Sequence, residues 1–399
     1  MSKIAFVACS KTKLDHTATA AALYSSALFR KSLLAALDSH DQVYILSAKH
    51  GILDLGQCTA PYNVTLKTMD MAERLAWADM VAPQMEDKVK NGDIVDLYCG
   101  QDYIKPIMPI MLAHGYKMHE PLADLSIGAR LQRLRSINEE LVIEEMMNRF
   151  KILLKKLWRH QKGGIQIANC SGKTELPNRG IYFILDHQKS AKTMPRIVRV
   201  GTHAVSHGAK TSLWNRLSTH RGTLDGRGSH RSSIFRSHVG RAIMKKNPKT
   251  SWPTTWSVGQ QAPAEIREQE VLLEREVSRH IGALGVLWLN VPDEPHANSD
   301  RAYIERGVIG LLSRFGLLTP NTHGNWLGSY SHDWRIAASG IWNLDHIFSF
   351  PDPHLLDVLE KYVNVTIGET DSPDTSIAPK NWRDKKMSHR AQPQLSFFN

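Results

Sequence analysis

Three short apolar runs near the start of the chain, Ile4 to Ala8, Gln42 to Leu46 and Asp93 to Tyr98, each break off into a polar or glycine-bearing segment. Strand-length runs alternating with helix-length stretches predict an α/β domain with a mostly parallel sheet over residues 1–160. The segments that follow the runs are Cys9-Ser10-Lys11-Thr12-Lys13, Ser47-Ala48-Lys49-His50-Gly51 and Cys99-Gly100-Gln101-Asp102-Tyr103. Ligands of open α/β sheets sit beyond the carboxyl ends of the strands. Ser10, Lys11, Ser47, Lys49, His50 and Asp102 therefore form the candidate pocket of this domain, a set suited to an anionic or heteroaromatic ligand such as a nucleotide or an extruded base. The domain reads either as a base reader, even a base-excising enzyme, or as a packing module that widens a contact surface.

A Ser136-x-x-Glu139 capping box predicts the start of a long helix through Ile137, Leu141, Met146, Phe150 and Leu154, which closes the first domain or bridges to the second. Glycines with Ser171, Pro177 and Asn178 make residues 161–178 a linker. A second domain is expected over residues 179–362, and a polar, proline-containing mobile tail over 363–399. Two domains plus linkers is the natural organisation for 399 residues.

Charge singles out the middle of the chain. Between positions 161 and 250 there are 17 Lys and Arg against 3 Asp and Glu, a surplus larger than the +11 of the whole sequence. A polyanion is the expected partner of that stretch. The four cysteines, Cys9, Cys58, Cys99 and Cys170, form no Cys-x-x-Cys pair and read as reduced cytoplasmic thiols. With no signal-peptide pattern and no bilayer-length apolar stretch, the expected protein is soluble and intracellular.

The most specific pattern lies in that basic stretch: Gly180-Ile181-Tyr182, then Val200-Gly201, then Leu213-Trp214-Asn215-Arg216-Leu217-Ser218-Thr219-His220-Arg221-Gly222. Two strand-like runs, Gly180 to Leu185 and Arg196 to Gly201, precede a helix on which Arg216 and His220 share a face one turn apart. This set resembles the GIY-YIG endonuclease family. The resemblance implies an α+β domain, a small antiparallel sheet flanked by helices, that hydrolyses phosphodiester bonds of DNA with Mg²⁺ or Mn²⁺. It implies that Tyr182 positions or deprotonates the attacking water, that Arg216 holds the scissile phosphate, and that His220 and His230 are accessory histidines. The segment Arg301-Ala302-Tyr303-Ile304-Glu305-Arg306 matches the one that carries the family's essential glutamate, so Glu305 is the expected metal ligand; its alternative is a surface partner for Arg301 at i,i+4. Arg199, Arg221, Arg227, Arg231 and Arg236 are the expected DNA contacts, and Asn321 or Asn325 fills the place of a late family asparagine. One position departs from the pattern. In Val198-Arg199-Val200-Gly201-Thr202-His203 the second tyrosine is replaced by Arg199, with His203 as a possible substitute. A dead site in a nucleic-acid-binding adaptor is the alternative, and an RNA substrate stays open.

Two further resemblances complete the reading. Ala8 to Lys13, Leu23-Tyr24-Ser25-Ser26 with Leu28-Phe29, and Ile45 to Leu53 are similar to a bacterial family, DUF6884, related to the peroxide-stress YaaA group, which implies a fold more than an activity. The final residues, Gln394, Leu395, Ser396, Phe397, Phe398 and Asn399, resemble the short peptide by which bacterial repair and replication proteins bind the sliding clamp. The whole reads as an endonuclease of phage defence, restriction or repair, directed to modified or damaged DNA by its first domain.

Overall fold

The computed structural model describes residues 1–186, 195–223, 225–248, 250–256, 258–319, 326–380 and 382–383. The first sheet has five strands in the spatial order Gly51–Asp54, Gln42–Ser47, Lys3–Ala8, Ile94–Tyr98, Lys117–His119. All pairings are parallel except the hairpin that joins Gln42–Ser47 to Gly51–Asp54. Gly51 sits at φ +72°, and that left-handed residue lets the chain reverse so tightly.

Period-two alternation sends the central strand's side chains into two layers. Ala5 and Val7 pack with Phe29, Leu33 and Leu34 of the helix Ala27–Ser39. Ile4 and Phe6 pack with Trp77, Val81 and Ile104 of the helices Met71–Lys88 and Gln101–Ala113. The three predicted strands lie within a residue or two of their expected bounds. The two edge strands, Gly51–Asp54 and Lys117–His119, were too short to stand out in the sequence.

The second sheet is antiparallel, ordered Arg196–Thr202, Gly180–Asp186, Gly285–Asn290, Ile165–Gln166. On one face, Ile181, Phe183 and Leu185 meet the helices Glu140–His160, Asp300–Leu318 and Leu355–Ile367. On the other, Tyr182, Ile184 and Val198 meet Leu213–Arg221, Ile234–Lys246 and Val271–Gly282.

Three expectations change here. The Ser136-x-x-Glu139 capping box does not form, because Ser136 belongs to a separate helix, Ile127–Ile137, capped by Ser126, and Glu139 takes φ +50° to start the next one. Buried Asn138 fixes that break by donating to the Lys31 carbonyl at 3.0 Å. The long helix, expected to close the first domain or bridge, aligns Ile143, Met146, Met147, Phe150, Leu153, Leu154 and Leu157 on one face, and that stripe packs on the second sheet. The 161–178 segment supplies the edge strand Ile165–Gln166 and the buried Ile167 to that same unit.

The tail is tied down as far as Arg383. Asp300, fully buried, accepts hydrogen bonds from Tyr362 Oη (2.6 Å), Ile377 N (2.9 Å) and Ala378 N (2.9 Å), and Trp382 packs edge-on against Tyr303. Gln394, Leu395, Phe397 and Phe398, like Asn321 and Asn325, lie outside the described residues.

The two units share packing. Leu317, Trp334 and Phe348 join the core of the first sheet, and Arg314 holds Asp38 through two hydrogen bonds of 2.9 and 2.6 Å. No helix among the described residues is long and apolar enough to cross a membrane.

Candidate functional site

The strand Arg196–Thr202 lies at the edge of its sheet, so it needs partners for its outward N–H and C=O groups. A following segment supplies them. Trp342 N donates to Val198 O at 2.6 Å, and Asn343 accepts from Val200 N (3.1 Å) while donating to Val200 O (2.8 Å). The last exposed amide, Thr202 N, donates to Glu305 Oε1 at 3.1 Å. Glu305 thus reaches around the strand from the helix on one face toward residues packed on the other. Its second carboxylate oxygen has no hydrogen bond among the described residues. Arg301, the alternative partner for Glu305, is fully buried and engaged with Asp293 and with His203 O at 2.9 Å.

On the opposite face, Gly201 stands directly across from Tyr182. A β-carbon on Gly201 would lie 2.1 Å from the tyrosine hydroxyl, so only glycine admits the ring here. Gly180 is similarly constrained, since its β-carbon would lie 2.2 Å from Leu289 O. Tyr182 Oη is 2.9 Å from His220 Nε2, and His220 Nδ1 is 2.8 Å from Ser233 Oγ. Both Tyr182 and His220 are 0% exposed. Burial, reinforced by the nearby guanidiniums of Arg199, Arg216 and Arg236, holds His220 well below the usual histidine range, so its ring is neutral.

A register shift between Ile197 and Arg199 turns Arg199 onto the same face, with its guanidinium 5.0 Å from the Phe235 ring and donating to Trp342 O at 2.7 Å. Arg216 is partly exposed on the capped helix Leu213–Arg221, and among the described residues its guanidinium has no hydrogen-bond or ion-pair partner. Arg199 and Arg216 both act on Glu305 and on His220, which places the two cations between them. Burial is the larger influence on Glu305: it raises the carboxyl to about 7 against the pull of Arg199 and Arg216, with Asp345 adding like-charge repulsion. His203, next to the amide that holds Glu305, has Nε2 3.0 Å from Asn178 O, so Nε2 donates and Nδ1 carries the lone pair. That Nδ1 is buried and unpartnered among the described residues, and burial with Arg301 nearby lowers the imidazole to about 4.

Tyr182, Arg199, Arg216, His220, His203 and Glu305 therefore gather around two consecutive residues of one edge strand. His230 does not join them. It is stacked on Trp256 at 3.9 Å with Nδ1 2.9 Å from Glu274, inside a separate buried network. Two of the expected DNA contacts are corrected on the same ground. Arg236 is 0% exposed and spends its guanidinium on Glu274, Ser278 and the carbonyls of His220 and Arg221, and Arg231 holds Glu270 through bonds of 2.6 and 3.0 Å. Arg221 lies over Trp214 and donates to Cys170 O, while Arg227 is exposed and paired with Asp225 at 2.6 Å.

Asn343 was missed. A lone amide inside the apolar run Ile341-Trp342-Asn343-Leu344 was the available signal, since buried polar groups are there to be satisfied.

In the first unit, Ser47 is fully buried and Asp102 is paired with Arg74 at 3.0 Å. Lys11 and Lys49 are exposed, His50 is half-buried beside Tyr62, and Ser10 caps its own loop through Thr12 O. Tyr24, Tyr62 and Lys13 stand among these residues without having been singled out.

Residues 143–368 match the GIY-YIG domain family, and residues 4–136 match a family of unknown function, DUF6884. No curated protein and no solved structure matches the chain.

Proposed function

The chain belongs to the GIY-YIG family, and from that premise we propose that it is a metal-dependent DNA endonuclease whose site is the edge-strand cluster around Glu305, Arg216 and Arg199. The observation that carries this reading is the attachment of Glu305 to Thr202, beside the Gly201 that packs on Tyr182, with two guanidiniums within reach of both.

Glu305 suits a divalent cation. One oxygen is fixed by a backbone amide and the other has no hydrogen bond among the described residues, which leaves a single hard ligand with positions for phosphate and water. Among the described residues no three His, Cys, Asp or Glu side chains gather into a cage, so Glu305 would be the one protein ligand. A bound Mg²⁺ or Mn²⁺ would polarise the phosphate and stabilise charge at the leaving oxygen.

The chain's own groups do the rest. Arg216, unpartnered, binds the phosphate oxygens, and Arg199 adds a second positive charge where the second motif tyrosine is missing. His203 Nδ1, neutral near pH 7, accepts a hydrogen bond from the attacking water and orients it. Tyr182 and His220, fully buried, are positioning residues: their hydrogen bond sets the seat on which Gly201 and Thr202 rest. The first domain supplies recognition of modified or damaged bases, and the terminal residues Gln394 to Asn399 dock on the sliding clamp, so their deletion abolishes co-elution with clamp and leaves cleavage of naked DNA intact.

A plasmid-nicking assay with Mg²⁺ or Mn²⁺ tests the proposal. Nicking by the full chain, lost in Glu305→Ala and Arg216→Ala, supports the enzyme. DNA retention without nicking on any substrate supports a binding adaptor instead.

A further inference from the structure

At the carboxyl ends of the parallel strands of the first sheet, three hydroxyls form a chain whose direction can be worked out. Ser47 Oγ accepts from Lys49 N (3.2 Å) and His50 N (3.0 Å), which occupies its lone pairs. Its hydrogen therefore goes to Tyr62 Oη at 2.7 Å, and the Tyr62 hydrogen goes on to Tyr24 Oη at 2.8 Å. Tyr24 is 0% exposed, and its own hydroxyl hydrogen meets no acceptor among the described residues. The chain thus ends in a buried, unspent donor.

The charges around it have the same character. Lys13 Nζ lies 4.3 Å from the Tyr62 ring centre and Lys49 Nζ 5.7 Å from it. Neither ammonium has a carboxylate within ion-pair distance among the described residues, and the rim's own carboxylate, Asp102, is taken by Arg74. Lys13 satisfies part of its valence on the Ser10 carbonyl at 2.9 Å, whereas Lys49 is exposed and free to turn inward. Partial burial lowers Lys13, as expected of a cation short of counter-charge. A rim of cations and an unspent donor, with its acceptors already occupied, is built for an anion with several oxygens.

We propose that this rim is a binding site for the phosphate group of a nucleotide, with Lys49 and Lys13 supplying charge and the Tyr24 hydroxyl a directional hydrogen bond. The position agrees with the general placement of ligands beyond the strand ends of parallel α/β sheets. The site is separate from the edge-strand cluster and does not depend on its being a nuclease. The phosphate comes either from a free nucleotide or strand terminus or from the backbone of a strand.

The test is calorimetric titration of the full chain, without divalent ions, with deoxyadenosine monophosphate, deoxyadenosine, inorganic phosphate and a dinucleoside monophosphate that has only an internal phosphodiester. The monophosphate should bind and the nucleoside should not. Lys49→Gln should weaken binding about tenfold, a change of about 1.4 kcal/mol, and Tyr24→Phe should weaken it several-fold, with circular dichroism confirming an intact fold. Binding of the monophosphate without the dinucleoside monophosphate upholds the site and assigns it to a terminal phosphate; binding of both upholds it and assigns it to the strand. Equal affinity for nucleoside and nucleotide, no phosphate binding at millimolar concentration, or an unchanged Lys49→Gln variant would overturn it.

Discussion

At the rim of the five-stranded sheet the polar groups come from loops that directly follow strands, so neighbours in sequence are neighbours in the site. Along the edge of the four-stranded sheet they come from residues 182 to 345, brought in from both faces and from the segment that covers the strand. The rim is therefore peripheral to its core: Lys49 is exposed and its side chain supports little else. The edge cluster is continuous with its core, since Tyr182 and His220 are both buried side chains and the groups that could meet a substrate rest on them. Substitution at the rim should change binding alone. Substitution at the edge should change stability, chemistry or both, according to how deep the residue lies.

The largest effect is expected at Arg236. Removing it strands buried Glu274, and Arg236→Ala should cost about 3–5 kcal/mol in urea denaturation. An unchanged midpoint combined with weaker DNA binding would restore Arg236 as a surface contact and break the contrast. Next come Arg216→Ala and Glu305→Ala, which should each lower the nicking rate about 10²–10³-fold with little change in melting temperature. A parallel fall in stability would mean that these side chains hold up the fold.

Gly201→Ala sharpens the point in between, because its new methyl must displace the Tyr182 hydroxyl. It should destabilise by about 1–3 kcal/mol and reduce nicking as well. Loss of one without the other would separate the strand's geometry from the chemistry.

A pH series probes Glu305. Its carboxyl is raised to about 7 from an ordinary 4.5, so the folded state disfavours the ionised form. The associated stability is full below pH 4.5 and is lost as the pH rises through about 7. Melting temperatures of the wild type should therefore fall relative to Glu305→Gln across that window. Nicking should rise over the same range, with a midpoint that moves to lower pH as Mg²⁺ is increased, because ion and proton compete for one carboxylate. A flat difference between the two proteins would contradict this. The smallest effect is expected for Arg227→Gln, which should reduce the salt slope of DNA binding by about 1.

The same contrast explains which parts could be read from the chain. The rim loops were legible because strand ends announce themselves, yet Tyr24 and Tyr62 were passed over as ordinary aromatics. Glu305 and Arg216 were found by their motifs. Arg231 and Arg236 were misjudged for a specific reason. Their partners, Glu270 and Glu274, lie beyond the basic stretch, and a local charge count cannot see a neutralising carboxylate that arrives from another helix. His230 failed in the same way, through Glu274 and Trp256. The long helix was located correctly while its partner was not, since an apolar stripe records that a face is buried but not against what.

The sequence by itself determined the periodic elements, the glycine positions and the residue types capable of phosphodiester chemistry, because those depend on local sterics and side-chain chemistry. Only the tertiary structure decided which cations are spent on buried carboxylates, which carbonyl and amide groups of the edge strand are covered, and where the unspent donors point. Those outcomes depend on pairings between residues tens to more than a hundred positions apart, and pairings across such distances are set by packing of whole layers.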